Sequence, residues 1–383
     1  MTPCASLPEP SAEALENSRR LASLIGADIS RRGGWISFAR YMELALYAPG
    51  LGYYAAGAQK FGSGGDFVTA PEISPLFGRV LARQFAEVLQ AIGGGSLLEL
   101  GAGSGRLAAD LLEELARCAA LPETYCILEV SAELRSRQRE RLAPWGERVR
   151  WLDALPQAFA GVIFGNEVLD ALPVHVLRWA DGEVYERGVA RAEEAGFRCA
   201  DRLLSCGPLL AAARAIEAAP GYVSEVSLAV PALVESLGRS LRRGLLLFID
   251  YGFGRAEYYH PQRSQGTLVG HYRHRVLEDP FFLPGLVDLT AHVDFTAVAD
   301  AGLAAGLRLC GYTGQAQFLL NAGLTQLLAA ADAAQAEVYL PLAAGAQKLL
   351  SPAEMGELFK VIGFTRDAPA PGGFASGDRR RQL

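Results

Sequence analysis

Apolar positions recur at helical spacing over residues 11–32 and again over 36–47, where the Ala48-Pro49-Gly50 turn ends the run. The glycine-rich stretch Gly62-Ser63-Gly64-Gly65-Asp66 follows, and residues 72–92 read as a third helix. At Ser96 the texture changes. The short apolar run Leu97-Leu98-Glu99-Leu100 enters a cluster of glycines, a helix is expected over 106–119, and a strand over 125–130 completes a β-α-β unit. A helix over 131–142 and strands over 149–152 and 162–164 continue the alternation, which predicts a mostly parallel sheet covered on both faces.

Between residues 174 and 231 the alternation breaks into a hairpin around Ala180-Asp181-Gly182 and an alanine-rich helical stretch, an insertion that could serve as a substrate module. A helix over 231–243 and the very apolar run 245–249 resume the sheet, since continuous apolar character suits a central strand buried on both faces. Residues 252–289 read as one long irregular segment, rich in aromatics, histidine and arginine, and loops of that length are functional or disordered. A helix over 292–305, a strand over 307–312 and further helices close the domain. The expected organisation is an N-terminal helical cap over 1–95, a doubly wound α/β domain over 96–366 with insertions at 174–231 and 252–289, and a flexible tail over 367–383.

Composition narrows the function classes. With half of its 383 residues hydrophobic and 20% charged, the chain can bury a sizeable core. The formal net charge of -6 disfavours a nucleic-acid partner, and Arg379-Arg380-Arg381 reads as a solvated run. Six cysteines without a C-x-x-C pair argue against a zinc knuckle or disulfide framework. His271, His274 and His292, near Asp288 and Asp294, match no familiar ligand spacing, so no metal is expected. No window approaches the ~20 uninterrupted apolar residues of a membrane span. Glu9, Glu13 and Glu16 oppose a signal or transit peptide, which makes the cytoplasm the expected location.

The strongest chemical signal is Glu99-Leu100-Gly101-Ala102-Gly103-Ser104-Gly105 at a strand-to-helix turn, where glycines bring bare backbone against a ligand. Its G-x-G-x-G spacing differs from the G-x-G-x-x-G of dinucleotide enzymes. Glu99, two residues ahead of Gly101, can receive a cationic amino group such as that of S-adenosylmethionine. Glu129, twenty-four residues after Gly105, stands where ribose hydroxyls find a carboxylate, or else serves as a helix-start acid. Asp153 follows the third strand, placed to accept from an adenine amino group or simply to lie at the surface. Asn166, Glu167 and Asp170 follow the fourth strand at the carboxyl edge of the sheet, facing a reacting centre or capping what comes next.

Seven segments in order then resemble the MidA-like family, which includes a mitochondrial complex I assembly-factor protein-arginine methyltransferase and bacterial relatives. They are Gly65 to Ser74, Glu99 to Gly105, Asn166 to Pro173 with His175, Ile249 to Gly252, Gly266 to Leu268, Tyr272 to Arg275, and Asp288 to Phe295. The resemblance implies a seven-stranded class I methyltransferase fold, S-adenosyl-L-methionine as cofactor, and a protein arginine as acceptor, with a respiratory-complex subunit as a candidate partner. It makes Glu99, Gly101, Gly103, Gly105, Glu129, Asp153 and Asn166 the expected cofactor residues. Glu167, Asp170 and Asp294 are the carboxylates expected to orient a guanidinium, whose pKa above ~12 demands anionic partners. Two rival readings are an NAD-dependent oxidoreductase and a non-catalytic assembly or binding protein on the same fold.

Overall fold

The computed structural model describes residues 7–56 and 69–383, so the glycine-rich stretch at 62–66 and the start of the first resemblance segment lie outside the described residues. The chain divides into two compact units, one of Met1–Phe67, Pro173–Val226 and Ser264–Ala291, the other of Val68–Leu172, Ser227–Arg263 and His292–Leu383.

The larger unit is built on seven strands: β1 Ser96–Leu100, β2 Tyr125–Leu128, β3 Val149–Leu152, β4 Phe159–Asn166, β5 Leu241–Phe253, β6 Arg308–Gly314 and β7 Phe359–Arg366. Their order is β3-β2-β1-β4-β5-β7-β6, and the short strand Val293–Asp294 adds parallel to the end of β5. All are mutually parallel except β7, which runs antiparallel to both neighbours. Side-chain alternation explains the two covering layers. Leu97, Val162 and Leu247 point to a core shared with the helices Pro75–Ala91 and Arg106–Arg117, whereas Leu98, Ile163 and Leu246 point to a second core shared with Ala229–Ser240 and Phe295–Ala304. This is the doubly wound class I methyltransferase sheet, and its order reverses between β1 and β4, whose carboxyl ends therefore border a ligand crevice.

The smaller unit holds an antiparallel sheet in which Ile36–Ser37, Glu183–Arg191, His175–Ala180 and Val223–Val226 lie side by side and Phe197–Leu203 pairs with Glu183–Arg191. A second sheet joins Arg275–Leu277, Val269–Tyr272 and Asp288–Thr290. The buried Asp28 carboxylate ties the helices Ala12–Arg31 and Phe38–Tyr47 together through Arg40 at 3.0 Å. Buried Glu225 fastens the loop after residue 264 by accepting from the amides of Thr267 and Leu268 and from the Thr267 hydroxyl.

Several boundaries differ from the expectation. The helix expected over 72–92 breaks at Ser74 into Ala70–Ile73 and Pro75–Ala91, because proline favours a helix start and the Ser74 hydroxyl caps the Leu76 amide. Pro75–Ala91 covers the large sheet, so residues 1–95 are not one cap: the division falls after Phe67. The run over 36–47 begins with the two-residue strand Ile36–Ser37, and Ser37 then caps the helix through the Arg40 amide. The segment 252–289, expected to be irregular, contains the helical turn Arg255–Tyr258 and three short strands.

The expected flexible tail is docked. The Phe374 ring packs edge-on against Phe318 with centroids 5.0 Å apart, the amides of Gly372 and Gly373 donate to Glu87 and Gln84, and Arg379 pairs with Glu357. Phe374→Ala should therefore lower unfolding free energy by about 2 kcal/mol. Denaturant unfolding checks this, and an unchanged midpoint would mean that the terminal segment contributes nothing to the core.

Candidate active site

The carboxyl end of β1 delivers the chain into the glycine loop. Gly101, Gly103 and Gly105 have φ of 61°, 52° and 76°, a left-handed region that strains residues carrying a Cβ. The Gly101 amide donates to the Leu128 carbonyl at 3.0 Å, which anchors the loop to the end of β2. Gly105 precedes the helix Arg106–Arg117, so the first amides of that helix open beside the loop.

One side chain organises this region from beneath. Gln138 is fully buried on the helix Ala132–Leu142, and its amide nitrogen donates to the Gly103 carbonyl at 2.9 Å and to Glu129 Oε2 at 3.1 Å, while its oxygen accepts from the Trp151 indole at 2.8 Å. Glu129, just past β2, also accepts from the Ser131 amide at 3.0 Å, and burial raises its pKa against the pull of these donors. Glu99 accepts from the Tyr125 hydroxyl at 2.7 Å inside the sheet. Burial pushes Glu99 up to about 8, with the hydrogen bond from Tyr125 opposing and the nearby Glu129 charge adding. Asp153 stands apart from this network: its side chain is 89% exposed and pairs with Arg135 at 2.7 Å.

The second half of the site follows β4. Asn166 ends the strand, and its Nδ2 donates to Glu167 Oε1 at 3.0 Å, whereas its buried Oδ1 has no hydrogen-bond partner among the described residues. Glu167 takes φ of 54°, rare for a residue with a side chain, and its amide donates to the Ile249 carbonyl of β5 at 2.9 Å. Burial pushes Glu167 up to about 8 and the Asp170 charge adds, while Asn166 opposes. Asp170 is buried and raised to about 6 for the same first reason, with the Tyr251 hydroxyl drawing it back. A Cβ built on Gly101 would stand 3.3 Å from Val168 Cγ2, so the glycine loop and the acidic loop lie side by side at the switch point.

Asp294 does not join them. It is the N-cap of Phe295–Ala304, with Oδ1 accepting from the amides of Thr296 and Ala297 at 3.0 and 3.2 Å and Oδ2 facing Arg255 at 3.5 Å. Oδ1 holds a helix start and Oδ2 faces a guanidinium of the chain itself, an arrangement that differs from the expected acceptor-orienting role.

Residue spacing alone did not single out Gln138 or Asp250. Gln138 continues the buried row of Leu134 and Leu142 at four-residue steps, and a polar residue within an apolar stripe is the signal that could have found it. Asp250 interrupts the apolar course of β5, is 1% exposed, and accepts at Oδ2 from the amides of Val168, Leu169 and Asp170.

These residues fit S-adenosylmethionine. Three left-handed glycines leave bare backbone at a helix start, two acids flank it, and the buried Asn166 Oδ1 at the same edge has no partner among the described residues. The sheet order and this loop define a class I S-adenosyl-L-methionine-dependent methyltransferase. Residues 80–313 match the family described as "Putative S-adenosyl-L-methionine-dependent methyltransferase", and the chain belongs to that family. A Burkholderia thailandensis protein whose crystal structure is bound to S-adenosyl-homocysteine is 51% identical, with a TM-score of 0.95 over 99% of this chain and all of that one. The Drosophila melanogaster mitochondrial protein arginine methyltransferase NDUFAF7 homolog is 31% identical over 94% of this chain and 88% of its own length. The Danio rerio protein arginine methyltransferase NDUFAF7 is 29% identical over 86% and 83%.

Gln138→Leu should weaken S-adenosylmethionine binding by about tenfold, because the Gly103 carbonyl and Glu129 lose a shared buried donor. Titration calorimetry checks this, and unchanged affinity would show that the loop holds its shape without Gln138.

Proposed function

We propose that the chain transfers a methyl group from S-adenosylmethionine to a guanidinium nitrogen of a protein arginine. The observation that carries this reading is the pair of raised carboxylates, Glu167 and Asp170, on a loop packed against the cofactor glycines. A guanidinium is always charged and needs anionic acceptors to be held, and two carboxylates on one short loop provide them. Relatives named protein arginine methyltransferases support the same acceptor.

When bound, the cofactor supplies an electrophilic methyl group. The chain's own residues do the rest. Glu167 and Asp170 orient the acceptor nitrogen, and positioning of that kind supplies much of the rate of such a transfer. Burial raises the proton affinity of both groups, and an entering guanidinium favours the ionised form of each. Transfer to nitrogen leaves one guanidinium proton surplus, and these carboxylates are the acceptors beside it.

Incubation of protein extract with the purified enzyme and tritiated S-adenosylmethionine, followed by acid hydrolysis, should place the label in methylarginine. Label in methyl-lysine, in esters or in a small molecule would overturn the acceptor assignment. Glu167→Gln should reduce kcat by about 100-fold while changing cofactor affinity less than about threefold. Equal losses of both would make Glu167 a cofactor ligand instead.

A further inference from the structure

We propose that Asp250 is a positioning residue for methyl transfer: its carboxylate gathers three successive amides of the loop after β4 and so holds Glu167 and Asp170 where the acceptor arrives. The proposal rests on the reading of those two carboxylates as the acceptor-side groups.

Asp250 Oδ2 accepts from the amides of Val168 at 3.1 Å, Leu169 at 2.8 Å and Asp170 at 3.4 Å, while Oδ1 accepts from the Tyr251 amide at 2.9 Å. Three consecutive amides converging on one oxygen bend the chain into a concave anion cradle, and the anion in it belongs to the neighbouring strand. The bend starts at Glu167, whose φ of 54° is seldom adopted outside glycine and persists only where surroundings impose it. The backbone partners come from β5: the Ile249 carbonyl takes the Glu167 amide, Asp250 takes the next three, and the Tyr251 hydroxyl reaches Asp170. An apolar side chain could fill the space, yet the sequence places a carboxyl group there, 1% exposed, beside two others. Burial and the neighbouring Asp170 and Glu167 carboxylates in turn raise the proton affinity of Asp250 itself, for like charges disfavour ionisation. The groups facing the cluster are Glu167 and Asp170 from the loop, Tyr251 from β5 with His292 against its ring, and Lys360, opposite Asp250 in the register of β7 with its ammonium turned to the Glu357 carbonyl. Glu72, on the helical turn that contributes the Ala70 amide to Glu167, is engaged by the Ser104 hydroxyl.

The sign of the pH effect follows. Glu167 and Asp170 must be ionised to hold a cation, so activity rises as pH passes upward through their raised values. Burial is the main cause of both raised values, so replacing Asp250 leaves the acid limb of the rate profile in place and lowers kcat through the loss of loop order.

The test compares wild type, Asp250→Asn and Asp250→Ser in three measurements: amide hydrogen exchange of Val168, Leu169 and Asp170, S-adenosylmethionine affinity by calorimetry, and methyl transfer to an arginine-rich peptide across pH. The expected result is protected amides in the wild type, exchange at least ~10-fold faster in the variants, cofactor affinity within about threefold, and kcat for transfer reduced about 100-fold with its acid limb unmoved. Rapid exchange of these amides in the wild type overturns the proposal even if neither variant folds. So does a variant whose transfer rate falls only in step with its cofactor affinity, the behaviour of a purely structural residue. If the wild type does not methylate the peptide, the arginine reading fails separately, and the exchange data still judge the role of Asp250.

Discussion

A carboxylate taken out of water must find hydrogen-bond donors, a cation or a proton, and the carboxyl edge of this sheet buries one at each of four adjacent strands. Glu99 on β1, Glu129 after β2, Asp170 after β4 and Asp250 on β5 are all less than a tenth exposed. Each is met differently: a tyrosine hydroxyl for Glu99, a buried glutamine and an amide for Glu129, the Tyr251 hydroxyl for Asp170, and three loop amides for Asp250. The shape of both functional loops follows from these partnerships. Gln138 reaches the glycine loop because it is already satisfying Glu129, and the left-handed Glu167 is held because its successors bind Asp250.

The same requirement explains which parts of the site were legible in the sequence. The glycines at 101, 103 and 105 announce themselves because only glycine occupies three left-handed positions at a strand-to-helix turn without strain. Glu99, Glu129, Glu167 and Asp170 were reachable because strand ends can be read from apolar runs. Asp294 was misjudged, since a motif residue at a helix start is equally an N-cap, and the distances to Thr296 and Ala297 decide for the cap. Asp153 sits at the expected strand end but in an exposed pair with Arg135. Gln138 and Asp250 escaped because their partners, side chains and backbone for Gln138 and loop amides for Asp250, lie on other elements, a kind of contact that spacing does not encode.

Legibility of the fold followed the same division between local and distant contacts. The strand at 149–152 and the helix over 11–32 carry clean patterns and were found close to their true bounds, whereas the run 245–249 marks only the middle of Leu241–Phe253. Phe197–Leu203 was missed because most of its residues face solvent, and β7 because Gly363 and Lys360 interrupt its apolar run. The unit boundary at residue 67 depends on which core the helix Pro75–Ala91 joins, and the docked C-terminal segment depends on Phe318 as much as on its own composition. Amphipathic pattern says that a helix will be covered, not what covers it.

The central claim is that the Gly101–Gly105 loop binds the methyl donor. Calorimetric titration of S-adenosylmethionine into wild type and Gly103→Val tests it most directly, because the substitution places a β-branched side chain on a left-handed backbone position of that loop. The account predicts a single saturable site in the wild type and no measurable binding in a folded Gly103→Val protein. Equal affinity in the two proteins would contradict it.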